Sequence, residues 1–367
     1  MQLAPKSCVS RCLRHCMLAC GALLSSASAT QAQAPQVLQL ETRTATVRGL
    51  PIHWTSLEAV ILESSGRMHL LDQAVVESYQ LQSETFQPQA LIAARSELQF
   101  QLGRSFETII AGPYVIAAPR GQAERWRDRF LALLAGYSRY FQVRGTTVRK
   151  PDFPLPVIVC RNRQEFLRMS AFEGDGATGN VVGSYFPRSN RCLLYQLPGT
   201  QGTNWEETEA TIVHEAVHQL AYNTGLHERL FANPLWCVEG LACMFEAPAV
   251  YDLSVSQSSI SNRMNPGLAR IFREEFQETA ILDAAIRDLI VRDDFFRKKP
   301  EAAYALSWAL TFYLSERLPG EYQKLLRSQT QHGFGEYTAG QRMQDFRAAI
   351  SMDPRMLAIQ MQRLLAE

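Results

Sequence analysis

The segment Thr211-Ile-Val-His-Glu-Ala-Val-His-Gln-Leu-Ala-Tyr222 constrains this 367-residue chain more than any other. His214 and His218 stand four apart, with Glu215 between them. On an α-helix, residues four apart share a face, so both imidazoles can reach one point. Ile212, Val213, Val217 and Leu220 supply apolar faces that bury such a helix, and Gly225 after Asn223-Thr224 is a stop signal. The fold must therefore close a core around a helix that carries two imidazoles on one side. Paired imidazole nitrogens suit a zinc ion, and Glu215 is placed to take a proton from water activated beside it. The rival reading, a solvent-facing helix with incidental histidines, fits poorly with the apolar residues around both.

A reactive zinc site takes three protein ligands and keeps a position open. A third histidine in the extended pattern would require glycine at 221 and histidine at 224, but the chain has Ala221 and Thr224 there, and His227 is out of register. The next acidic residue in an apolar setting is Glu239, in Pro234-Leu-Trp-Cys-Val-Glu-Gly-Leu-Ala242. Asn233-Pro234 marks a turn, and a helix can begin just beyond it. A carboxylate between Val238 and Leu241 is costly to bury unless it is paired or bound to metal. An ion pair with an arginine is the alternative. One zinc per chain, held by His214, His218 and Glu239 with Glu215 as base, is the expectation.

His-Glu-x-x-His followed by Glu-Gly-Leu-Ala resembles the gluzincin ("peptidase MA-like") zinc peptidases, and within them an exported bacterial family. The matching segments are Tyr185 to Arg191, His214 to Gly225, Pro234 to Ala242 and Ala303 to Leu314, within a span of roughly residues 97 to 330. The resemblance implies an α+β fold: a zincin-like domain with a small mixed sheet beside the active-site helix, followed by a helical lobe. It implies hydrolysis of a peptide or protein substrate, and an edge strand, here Val181 to Phe186, that pairs with the substrate backbone. It also implies that Tyr304 stabilises the oxyanion, although a core tyrosine at a helix start is an equal alternative. The family often has an acidic residue four places after the glutamate ligand, supporting a zinc histidine. Here that place is Cys243, so another group must orient the imidazoles.

The N-terminus carries Lys6, Arg11 and Arg14, a short apolar stretch from Met17 to Leu24, and the small residues Ala27-Ser28-Ala29. That layout predicts a signal peptide over 1–29 and an exported, periplasmic or extracellular, bacterial protein. Cys20 raises a lipoprotein alternative, but the apolar stretch continues past it. No later segment is long and apolar enough to span a membrane, so the mature chain has no predicted span. A formal net charge of +1 argues against nucleic acid as a partner. Oligomeric state is not readable.

Beyond the leader, residues 36–90 read as a small all-β domain, with strands near Leu38 to Val47, Ala59 to Leu62 and Met68 to Leu71, and with Tyr79 and Phe86 as core candidates. Residues 97–350 read as the peptidase domain and 351–367 as a C-terminal helix. Within them, Leu98 to Leu102, Thr108 to Ile110, Tyr114 to Ala117 and Leu155 to Cys160 are expected strands. Gln122 to Phe141 and Gln164 to Ala171 are expected helices, Gly174 to Gly179 a plain loop, and Val181 to Leu194 a hairpin. A Cys160–Cys192 bridge between neighbouring strands is one possibility, and Cys237 and Cys243 fit buried free thiols slightly better than a bridge. His53 and His69 read as structural. Two other functions stay open: an envelope scaffold that keeps the zinc site without turnover, and a zinc hydrolase of a non-peptide amide.

Overall fold

A computed structural model describes residues 35–173, 181–195, 205–229, 233–255, 259–332, 334–335 and 337–366. The leader segment 1–29 and the loop from Gly174 to Gly179 lie outside the described residues. The fold is mixed α+β, with two sheets toward the N-terminus and a helical region toward the C-terminus.

The first sheet is antiparallel, in the order β4-β3-β2-β1-β5: β1 (Gln36–Thr42), β2 (Thr46–Trp54), β3 (Glu58–Leu62), β4 (Met68–Asp72) and β5 (Val76–Thr85). One face packs Leu38, Leu40, Val47 and Ile61, with Tyr79 beside them. Phe86 is not in this core; it lies past the last strand and faces Phe153 at 6.3 Å. His69 bonds Glu63 and His53 stacks on Phe334, which are structural contacts. The turn between β3 and β4 is tied to the turn near residue 188, where Met68 donates its N–H to the Arg188 carbonyl at 2.7 Å.

The second sheet has the order β6-β7-β8-β10-β9, from β6 (Phe106–Ala111), β7 (Tyr114–Pro119), β8 (Leu155–Cys160), β9 (Gly183–Phe186) and β10 (Arg191–Tyr195). The β7–β8 and β8–β10 pairs are parallel, and the outer pairs are antiparallel. Side chains alternate across it, as the two-residue period requires. Tyr114, Ile116, Val157, Val159, Cys192 and Leu194 face α2 (Ala123–Gln142) and α4 (Trp205–Thr224). Val115, Ala117, Ile158, Cys160 and Leu193 face α1 (Leu91–Leu102) and α3 (Arg163–Ala171).

Two expectations are corrected by this arrangement. Leu98 to Leu102 is the end of α1, not a strand. Leu91, Ala94, Leu98 and Leu102 recur at helical spacing, and that stripe packs on the sheet until Gly103 (φ 73°) ends the helix. Cys160 and Cys192 are not bridged. They point to opposite faces of the sheet, and the β8–β10 register pairs Cys192 with Val157, three steps from Cys160. All four cysteines among the described residues are free and buried.

The C-terminal region is built around α10 (Pro300–Arg317). From Ala302 to Ser315 every residue but Tyr304 is buried, the pattern of a helix surrounded by others. It packs against α5 (Leu235–Phe245), α7 (Pro266–Glu275), α11 (Pro319–Gln329) and α13 (Pro354–Leu365). The approach of α5 to α10 depends on Gly240. A Cβ there would lie 2.3 Å from Thr311 Oγ1 and 2.4 Å from the Ser307 carbonyl oxygen, closer than real contacts allow. Gly240→Ala should therefore force the helices apart and cost about 1–3 kcal/mol, in the range of overpacked cores. Denaturant unfolding monitored by circular dichroism checks this; unchanged stability would mean that the two helices are not so tightly joined.

Candidate metal centre

Helix α4 is held in place by its apolar side. Ile212, Val213, Ala216, Val217, Leu220 and Ala221 are buried against the sheet and α2. That orientation leaves His214 and His218 on one face, with ring centroids 4.7 Å apart. The helix ends at Thr224, and Gly225 takes φ 85°, a conformation that favours glycine. Helix α5 starts directly after Pro234, as the turn signal predicts, and brings Glu239 opposite the histidines.

Glu239 Oε2 lies 3.2 Å from His214 Nε2 and 3.7 Å from His218 Nε2. The side chains are only 13%, 11% and 14% exposed for His214, His218 and Glu239. Donor atoms on a tetrahedral ion with bonds of about 2.0–2.1 Å sit roughly 3.3 Å apart, which these spacings bracket. Two imidazoles and a carboxylate converging in a nearly dry place fit a divalent metal ion, and all three donor atoms lie within 4.8 Å of one another. The expected ligands are thus brought together. His227 is buried against Tyr222 and stands outside the converging set.

The electrostatics of the metal-free site suit cation capture. Burial pushes His218 down to about 4, so its imidazole is neutral at pH 7. Burial alone would raise Glu239, but His218, His214 and a hydrogen bond from Tyr304 hold it below the usual carboxylate value. Burial also opposes the charged form of His214, yet hydrogen bonds to Cys243, Glu239 and Glu246 carry its pKa well above the normal histidine value. A metal bound at Nε2 competes with a proton for that nitrogen.

Glu215, on the same helix, reaches the sheet edge, where its Oε2 accepts the Tyr185 backbone N–H at 2.8 Å. Burial raises it to about 7, with His214 and the Tyr185 bond pulling the other way. A carboxylate poised near neutrality is suited to taking and returning a proton. Tyr185 belongs to β9, the edge strand of the second sheet. Its hydroxyl donates to Asn190 Oδ1 at 2.9 Å, and Asn190 exchanges amide bonds with Asn223 at 2.7 and 3.0 Å. Gln219 also donates to the Asn190 carbonyl at 2.8 Å. Asn190 adopts φ 61°, which asparagine tolerates better than most residues. The segments Tyr185 to Arg191 and His214 to Gly225 are thereby one hydrogen-bonded unit.

Tyr304, in the first turn of α10, is half-buried, lies near enough to Glu239 to help keep that carboxyl ionised, and meets the Phe296 ring edge-on at 5.2 Å. Burial raises its pKa, so the phenol stays protonated and can donate. The residue that the sequence did not reveal is Glu246. Its Oε1 lies 2.8 Å from His214 Nδ1, while Cys243 Sγ is 4.0 Å from that nitrogen. The available signal was its spacing: seven residues after Glu239, two turns along the same helix face.

The family described as "Protein of unknown function (DUF1570)" matches residues 208–334, a span that includes His214, Glu215, His218, Glu239, Glu246 and Tyr304. No curated protein matches the chain. Competition between protons and metal for the imidazole nitrogens makes a direct prediction. Affinity for Zn²⁺ should rise with pH between about 6 and 8, approaching tenfold per unit wherever one proton is released on binding. Chelator competition across that range measures it, and a flat profile would show that metal binding displaces no proton from the site.

Proposed function

We propose that the protein is a zinc-dependent metallopeptidase of the gluzincin type, exported from the cell, that hydrolyses peptide bonds. The observation that carries the reading is the convergence of His214, His218 and Glu239 beside Glu215, a carboxylate that a purely structural metal site has no use for. A zinc ion in that set would supply Lewis acidity, polarising a substrate carbonyl and acidifying water. His214, His218 and Glu239 would hold it.

The protein's own groups divide the remaining work. Glu215, fixed by the Tyr185 N–H, accepts a proton from the attacking water and returns it to the leaving amine. Tyr304, protonated and next to Glu239, donates to the oxygen on which negative charge develops. Strand β9 places extended backbone beside Glu215, so a substrate strand added along that edge would bring its carbonyl to the base. A zincin-like fold would account for the mixed sheet, the helix across it and the helical lobe beyond.

Peptide-library cleavage read by mass spectrometry tests the activity. Zinc analysis is run in parallel on the parent chain and on Glu239→Ala, which should lose most of its metal. Glu215→Gln should keep its zinc and lose about 10²–10⁴-fold in turnover, the usual contribution of a positioned base. Tyr304→Phe should also keep zinc and lose roughly 10²–10³-fold in kcat with little change in KM. A zinc-loaded parent that cleaves no peptide in a broad library would remove the peptidase assignment.

A further inference from the structure

We propose that Glu246, braced by Asn265, orients His214 for the metal, replacing the acidic residue that would otherwise stand at Cys243. The inference rests on the ligand set described above, and concerns which residue makes His214 a good ligand.

The geometry is closed at both ends. Glu246 Oε1 accepts from His214 Nδ1 at 2.8 Å, and its Oε2 accepts from Asn265 Nδ2 at 2.8 Å. A carboxylate can only accept, so Nδ1 carries a proton, and once Nε2 gives up its own proton its lone pair is directed to the side where Glu239 and His218 lie. Asn265 is itself fixed, because its Oδ1 caps α7 by accepting the Leu268 N–H at 3.2 Å. Three elements thus meet at one imidazole: α4 supplies the ring, the end of α5 the carboxylate, and the start of α7 the brace.

Cys243 cannot perform this task. At 4.0 Å its sulfur is a weak partner for an imidazole N–H, against 2.8 Å for the Glu246 oxygen. Glu246 occupies a place that a helix would not choose for an acid. It is the C-terminal cap of α5, where the helix dipole disfavours negative charge. The His214 N–H and the Asn265 amide offset that penalty. Glu246 also lines a cavity of about 830 Å³ together with Asn265, Met264 and Tyr251, so one side of the orienting carboxylate is open to that space.

The test uses the full chain and Zn²⁺ alone. Dissociation constants from chelator competition are compared for the parent, Glu246→Gln, Glu246→Ala and Asn265→Ala, beside the melting temperature of each metal-free protein. Loss of a carboxylate that orients a metal-bound histidine weakens affinity about 10- to 100-fold. Both Glu246 variants should fall in that range with little change in metal-free melting temperature, while Asn265→Ala should lose less affinity and melt lower because it also removes the α7 cap. A purely structural role would lower the melting temperature and leave the affinity of the folded fraction intact. In the metal-free parent, ¹⁵N–¹H spectra should show a hydrogen-bonded His214 Nδ1–H that shifts in Glu246→Gln. Unchanged zinc affinity in a folded Glu246→Ala overturns the proposal. If that variant does not fold, unchanged affinity in Asn265→Ala together with an unshifted His214 signal in Glu246→Gln does so. Absence of zinc binding by the parent would instead reject the metal reading, while the His214 spectrum still decides whether Glu246 holds the ring.

Discussion

The Glu239 carboxylate sits in an otherwise apolar helix, and much of the surrounding structure serves to satisfy it. Taking a carboxylate out of water costs several kcal/mol unless partners replace the lost hydration. Here the partners are His214 and His218 from α4 and the Tyr304 hydroxyl from α10. Each arrives because an apolar surface elsewhere fixes its helix. The buried stripe of α4 seats it on the sheet, and the absence of a side chain at Gly240 lets α5 close on α10. Tyr304 is the one residue of the span Ala302 to Ser315 that is not fully buried, and it meets the carboxylate. Packing therefore brings together groups that packing alone would not tolerate, and a cation is the simplest way to complete their balance.

A second consequence concerns rigidity. Glu215 is held by a backbone N–H of β9, and β9 is held to α4 through Tyr185, Asn190, Asn223 and Gln219. Glu215, the histidines and the sheet edge consequently share one frame. An extended chain added along β9, as proposed above, would meet Glu215 in a fixed register, the preorganisation that proton transfer in a reacting complex requires.

What could be read from the chain alone follows from range. His214, Glu215 and His218 are legible because four-residue spacing on a helix is local geometry. Glu239 is legible because a lone acid amid Trp236, Val238 and Leu241 conflicts with burial. Strand β8 was legible at both ends, since a continuous apolar run bounded by Pro154 and Arg161 has little choice. The segment ending at Leu102 was misread because its last five residues alternate locally, and only the longer stripe back to Leu91 shows the helix. The Cys160–Cys192 pairing failed for a similar reason: adjacency of strands follows from sequence order, but the face each side chain takes depends on register. Glu246 was invisible because its partner is 32 residues away, and its brace Asn265 comes from a helix whose position no local pattern gives.

Moving the supporting acid from the place of Cys243 to Glu246 changes what the metal site is mechanically joined to. An acid one turn after Glu239 would be fixed mainly by α5 itself. Glu246 stands where α5 ends, and its free oxygen is held by the residue that caps α7. Helix α7 in turn packs on α10, which carries Tyr304. The orientation of His214 and the placement of Tyr304 thereby depend on the same pair of helices. A displacement of α7 would shift His214 and Tyr304 together, so the helical lobe and the candidate metal site are best understood as a single mechanical element.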